Sequence, residues 1–296
     1  MRIASIIVNG TQTLAVRRAE GMLDVAALAP EMPRSLTALL ALGESALREL
    51  ETRAKNAPAS ARIQGTWDYL PPVDATTKVL CLGLNYRDHA AEAAYDAPQF
   101  PVVFARFFSS FVGHEQPMIL PACSPMFDWE AELAVVIGRR ARGVTRERAL
   151  DYVAGYTLFN DGSVRDRQKR THQWTLGKNF DRTGPMGPEI VTSDELPPGA
   201  QGLRIQMRVN GEIMQDANTR DMIFDVQDAI VAISEAMTLE PGDVIAMGTP
   251  SGVGAARTPP RFLKAGDVCE VEVERVGILR NLVTNEANEA SENGGK

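Results

Sequence analysis

Cysteine, histidine and aromatic residues are all scarce in this chain of 296 residues: three Cys, three His, and 6% Phe, Trp and Tyr together. Cys81, Cys123 and Cys269 are widely spaced and never form a C-x-x-C pair, so neither a disulfide framework nor a thiolate zinc site is suggested. Buried, reduced thiols in a cytoplasmic protein are the expectation. With only His89, His114 and His172 available, an imidazole-rich metal site is disfavoured too. A basic excess is also missing. The net charge is -7, which argues against a nucleic-acid partner, and the knot Arg139-Arg140-Ala141-Arg142 is short enough to be a solvated loop after a strand. No apolar run approaches the ~20 residues of a membrane span. The N-terminal stretch lacks the apolar core of a signal peptide. What is there, 44% apolar and 23% charged residues, suffices for a full core in a soluble globular protein.

Residues 2–18 predict two short strands joined at Asn9-Gly10, a hairpin signal. Residues 35–54 have the apolar spacing of an amphipathic helix, with Gly43 interrupting it, and breakers follow at 56–60 and 69–72. A boundary near residue 70 therefore separates a small N-terminal α+β domain (1–70) from a larger one (71–283), leaving a polar tail from Thr284 that is expected to be disordered. Strand-like runs dominate the larger part, at 78–85, 131–138, 155–161, 203–211, 243–248 and 267–277. The last alternates Val268, Glu270, Glu272 and Glu274 with Cys269, Val271 and Val273, the period of a half-exposed strand. The best helix spans 226–237, with Asp225 placed to cap it and Pro241-Gly242 to end it. Strands do not alternate regularly with helices. The fold class is therefore α+β and β-rich, a sandwich-like roll or distorted barrel rather than a doubly wound parallel sheet.

Three stretches carry chemistry. In "FDWEAELAVVIG", 127–138, Glu130 and Glu132 sit at i and i+2, so a strand projects both from one face where an apolar run begins. Paired carboxylates repel and resist burial, and a hard divalent cation relieves both costs. Asp161, at the end of "GYTLFND", is the best third ligand; an exposed face, or an ion pair with Arg165, is the plainer alternative. In "GLNYRDHAAE", His89 and Glu92 at i, i+3 face each other on a helical turn, where a carboxylate fixes the imidazole tautomer; a surface pair is the plainer alternative. In "TLGKNFDRTGPMGP", Gly-Pro pairs suggest a rigid loop with Lys178 at its base, either a solvated lysine or a charge for an oxyanion. The Gly-rich "MGTPSGVG", 247–254, offers amides and the Thr249 hydroxyl to a carboxylate, or is a tight turn, and it lacks a P-loop ending.

In this order the motifs resemble the fumarylacetoacetate hydrolase family over about residues 78–283. The resemblance implies Glu130, Glu132 and Asp161 as ligands of Mg²⁺ or Mn²⁺, His89 and Glu92 as a water-activating pair on a lid helix, and Lys178 as the active-site lysine. It further implies Arg165 and Gln168 as pocket residues and Thr249 as the group that meets a substrate carboxylate. Many members carry a lysine and prolines where this chain has Arg106-Phe107-Phe108, which implies a bulkier wall with Arg106 in the substrate pocket. The implied activity is hydrolysis of a carbon–carbon bond in a 2,4-dioxo acid such as an acylpyruvate. Oxaloacetate decarboxylation, isomerisation or hydration of unsaturated 2-oxo acids, and a non-catalytic cation-stabilised binding protein are the alternatives. The family habit implies a homodimer, with a small 2-oxo acid as the only other partner.

Overall fold

The computed structural model describes residues 1–92 and 96–286. Its frame is an eleven-stranded mixed sheet, and its central order runs Arg2–Val8, Gly184–Thr192, Val153–Asn160, Ala131–Ile137, Val244–Ala246, Val79–Gly83 and Val102–Arg106. A five-stranded sheet, with Arg204–Val209, Val268–Val273 and Gly277–Asn285 at its centre, packs against one face. Both sheets have open edges, so the α+β, strand-rich expectation holds as two packed sheets and the distorted-barrel form does not.

The strand Ala131–Ile137 is buried on both faces, which is why its sequence runs apolar rather than alternating. Leu133, Val135 and Ile137 join the core shared with Ile205, Met207, Val271 and the helix Val226–Ala236. Ala134 and Val136 point the other way, into a core shared with Ile3, Leu14, Leu39 and Leu50. That helix begins in a capping box of Asp225 and Asp228, as its sequence suggests. The strand Val268–Val273 alternates intermediate and buried residues as its period demands.

Elsewhere the chain departs from expectation. The helix of residues 35–54 is two helices, Leu36–Ala41 and Glu44–Lys55, because Gly43 takes φ 84° between them. The "GPMGP" run is not a loop: it opens the strand Gly184–Thr192, whose neighbour Val153–Asn160 passes so close that a Cβ on Gly155 would lie 2.3 Å from the Val191 carbonyl oxygen. Cys81 and Cys269 are buried but Cys123 is exposed, against the expectation of three buried thiols. The basic knot is the exposed loop after a strand that was expected, with Arg139 and Arg140 paired to Glu44 and Glu240 and Arg142 donating to the carbonyls of Ser234 and Glu235. Thr284 and Asn285 finish a strand; residues 93–95 and the tail from residue 287 lie outside the described residues. No helix among the described residues is long and apolar enough to cross a membrane.

Candidate metal centre and active site

Sheet register builds the acidic cluster. Ala131 pairs with Asn160 in antiparallel strands, so Glu130 and Asp161 are neighbours just beyond the pairing, and the Asp161 amide donates to the Glu130 carbonyl at 2.9 Å. Glu132 lies one pleat along the same face. One carboxylate oxygen from each of Glu130, Glu132 and Asp161 lies within 4.8 Å of the others, and all three residues are buried. An all-oxygen donor set of this spacing fits a hard divalent cation, Mg²⁺ or Mn²⁺.

Cations surround the cluster. Lys178 Nζ donates to Glu130 Oε2 at 2.8 Å and to Asp161 Oδ2 at 2.6 Å, and the lysine is buried rather than solvated. Arg165 Nη1 donates to Glu130 Oε1 at 2.6 Å while its Nε donates to Asp128 Oδ2 at 2.8 Å. Arg106 Nη1 donates to Asp161 Oδ1 at 2.5 Å from the far side. These contacts divide the carboxylates. Burial opposes ionisation of Glu130, but Lys178 and Arg165 outweigh it and hold the carboxyl down at about 2. No cation among the described residues bonds Glu132: burial, then Asp161 and Glu130, push its carboxyl well above the usual range, against the nearby charge of Lys178 and one amide bond from Gly248.

Glu130 and Glu132 form part of the lining of a cavity of about 790 Å³ that His89, Glu92, Arg165, Gln168, Lys178 and Thr249 also border, with Asp161 fully buried behind them. The helix Arg87–Glu92 sets His89 Nδ1 3.3 Å from Glu92 Oε2. Glu92 is itself gripped, both oxygens accepting from the Gly252 amide at 2.9 and 3.1 Å. Gln168 Oε1 accepts from Arg165 at 3.0 Å, and Thr249 Oγ1 accepts from Gln215 Nε2 at 2.8 Å. Arg165 Nη2 is buried with no partner among the described residues, a donor left for a ligand. Arg106 does not border the cavity. Its guanidinium is fully buried behind Asp161, so it braces the cluster instead of lining a wall.

The Gly-rich loop does hold carboxylates, but they are the protein's own: Gly248 N–H binds Glu132, Gly252 N–H binds Glu92, and Gly254 N–H binds Asp128 at 2.7 Å. Asp128 was not singled out from the sequence. It is wholly buried and accepts from Trp129, Gly254, Ala255 and Arg165, tying the loop to the arginine. Its signal was an acid in phase with Glu130, two residues earlier in the same apolar stretch. Gln215, which pins the loop through Thr249 and the Pro250 carbonyl, carries no such signal.

The profile of the fumarylacetoacetate hydrolase C-terminal domain matches residues 78–284. The chain belongs to the fumarylacetoacetate hydrolase family. It is 42% identical over 265 residues to the mitochondrial oxaloacetate tautomerase of Rattus norvegicus, covering 89% of this chain and 84% of that one. Among solved structures, fumarylacetoacetate hydrolase from Exiguobacterium antarcticum superposes with a TM-score of 0.85 at 36% identity, covering 97% of this chain and 100% of that one. Maleylpyruvate hydrolase from Sphingobium, in complex with manganese(II) and pyruvate, gives a TM-score of 0.77 at 29% identity, over 96% and 99% of the two chains. One of these relatives thus holds a manganese ion together with a small 2-oxo acid.

Proposed function

We propose that this family member interconverts the enol and keto forms of oxaloacetate, or of a closely related 2-oxo diacid. The observation that carries the reading is that the His89–Glu92 pair borders one cavity with Glu130 and Glu132 of the acidic triad, in a chain 42% identical to an oxaloacetate tautomerase. A divalent cation held by Glu130, Glu132 and Asp161 would supply Lewis acidity at the 2-oxo group. Glu92 accepts from His89 Nδ1 and leaves Nε2 as the basic nitrogen. Enol-to-keto conversion moves one proton from the 2-hydroxyl to C3, and His89 carries it at C3 in both directions. Arg165 and Thr249 hold the 1-carboxylate, Gln168 keeps Arg165 in place, and Lys178 sets positive charge beside the developing enolate. In this reading residues 71–283 form the catalytic domain and residues 1–70 a companion whose strands extend the large sheet. The protein acts as a cytoplasmic homodimer, with the mitochondrial address of the rat relative as the competing location.

The second reading is hydrolysis of a 2,4-dioxo acid, with the same His89 drawing a proton from water instead of carbon. The likeness to a maleylpyruvate hydrolase holding manganese and pyruvate supports it. The test follows the loss of enol absorbance of oxaloacetate with Mn²⁺ or Mg²⁺, alongside CO₂ release and pyruvate release from acylpyruvates. We expect ketonisation above the solvent rate, and a loss of ~10²–10⁴ in His89→Asn, the scale of one general base, with Mn²⁺ binding intact. Faster pyruvate release from an acylpyruvate than oxaloacetate ketonisation would replace the first reading by the second, and faster CO₂ release would make the protein a decarboxylase. Mn²⁺ binding without turnover of any of them would leave a cation-stabilised binding protein.

A further inference from the structure

The cavity is far larger than oxaloacetate needs. A volume of about 790 Å³ belongs with ligands of drug size, and a four-carbon diacid gathered at the triad fills a small part of it. The remaining lining has its own chemistry. Phe104 and Trp174 meet edge to face, their ring centroids 5.5 Å apart, and form an apolar wall. Lys169, Arg170 and His172 border the same cavity and are exposed.

The segment that bears these cations is held at both ends. It joins the short helices Arg165–Gln168 and Thr175–Lys178, which pack so tightly that a Cβ on Gly177 would lie 2.4 Å from the Gln168 backbone. The Trp174 ring lies against Gly83, where a Cβ would sit 2.2 Å from it, and Thr171 Oγ1 bonds the Gln173 amide and carbonyl. The same two helices supply Arg165 and Lys178 to the acidic cluster, so the segment's place is tied to the centre. Arg106, Arg165 and Lys178 all have carboxylate partners, as most arginines of the chain do. The side chains of Lys169 and Arg170 have no ion-pair partner among the described residues.

A pre-positioned, unopposed pair of cations at the mouth, an apolar wall, and a buried centre for a 2-oxo acid are the parts of a site for an elongated diacid. We propose that Lys169 and Arg170 form a distal anion subsite that takes the far carboxylate of 2-oxo diacids longer than oxaloacetate. This rests on the reading of the centre as a 2-oxo acid site. The two cations are specificity determinants: they add affinity for a second carboxylate, leave the reacting end alone, and weaken with added salt because they are exposed.

The test compares two six-carbon ligands, 2-oxoadipate and 2-oxohexanoate, on the Mn²⁺-loaded protein by calorimetry, with pyruvate as the short control. Wild type is expected to bind the diacid roughly three- to tenfold more tightly than the monoacid, the scale of two solvent-exposed ion pairs. That preference should shrink with ionic strength and vanish in Lys169→Gln/Arg170→Gln, while pyruvate and 2-oxohexanoate bind as before. Lys264→Gln, an exposed lysine remote from the cavity lining, is the control and should keep the preference. Equal binding of the two ligands by wild type overturns the subsite. So does a preference that survives the double variant. If pyruvate binds and only the diacid preference is absent, the fault lies in the subsite; if none of the three binds, the 2-oxo acid centre fails and the distal subsite falls with it.

Discussion

Replacing Arg106 by Met separates two roles for this arginine, a brace behind the acidic cluster and a wall of the pocket. The guanidinium donates to Asp161, to the Gly162 carbonyl at 3.2 Å, to Thr183 Oγ1 at 2.9 Å and to Ser110 Oγ at 3.2 Å. Its carbon lies 5.6 and 5.4 Å from the ring centroids of Phe111 and Phe159. Met keeps the apolar contacts and removes every one of those bonds. Thr183 and Ser110 retain bonds to the Phe180 and Phe107 carbonyls, so the main loss is the counter-charge of a wholly buried Asp161. Removing one partner of such a pair costs ~3–5 kcal/mol. Because Lys178 still opposes Asp161, we take the lower end, ~3 kcal/mol, which at about 2–4 °C per kcal/mol lowers Tm by about 6–12 °C. Mn²⁺ bound at the triad gives Asp161 a new counter-charge, so the metal should raise Tm more in Arg106→Met than in wild type. Thermal scans with and without Mn²⁺, paired with KM for oxaloacetate, read both effects. A Tm within 2 °C of wild type together with a KM raised about tenfold, the scale of one lost charged hydrogen bond, would refute the brace and make Arg106 a substrate contact.

Two further outcomes follow from the site. The raised Glu132 carboxyl carries a proton in the metal-free protein above the ordinary value of 4.5, so divalent cations must displace it. Mn²⁺ affinity should therefore climb with pH and release protons, read by calorimetry in buffers of different ionisation enthalpy; binding without proton release contradicts this assignment. The stability signs oppose each other: Glu132 contributes below 4.5 and loses that contribution as pH rises through its raised value, whereas Glu130 contributes above 4.5 and loses it as pH falls toward 2. Gly252→Ala is expected to lower Tm and to reduce turnover more than tenfold with Mn²⁺ binding preserved. The backbone there has φ 100°, a Cβ would lie 2.1 Å from the Met214 carbonyl oxygen, and the displaced amide would release Glu92 and loosen His89. Wild-type turnover in that variant would show that the amide grip on Glu92 is dispensable.

Local pattern made the long elements readable. The alternation at 268–274 and the capped helix at 226–236 each rest on neighbours within a few residues, and both appear where the sequence places them. Glu130, Glu132 and Asp161 were also readable, because strand period and strand ends are local features. Lys178 read equally well as a surface lysine, since a four-residue helix has no periodicity to reveal a buried face. The Gly184–Thr192 strand hid behind its glycines and prolines, whose role is close approach to a neighbouring strand, a property of tertiary packing. Arg106 was assigned to the pocket because the resemblance sets a lysine and prolines of other members at Arg106-Phe107-Phe108, yet Phe107 and Phe108 are exposed while the arginine turns inward. The partner that draws it in, Asp161, is far away in sequence. Gln215, which donates to Thr249, was out of reach for the same reason.

The pairing of Ala131 with Asn160 divides the molecule into what can vary and what cannot. A slip of one residue between those strands would turn Glu132 to the opposite core and move Asp161 out of step, so the cation site is lost or kept as a whole. The mouth is less constrained: the exposed side chains of residues 169–172 can be changed without moving a ligand oxygen. Remaking this protein for a different acid is therefore a matter of changing the side chains of one short segment. The centre travels unaltered with the register of its sheet.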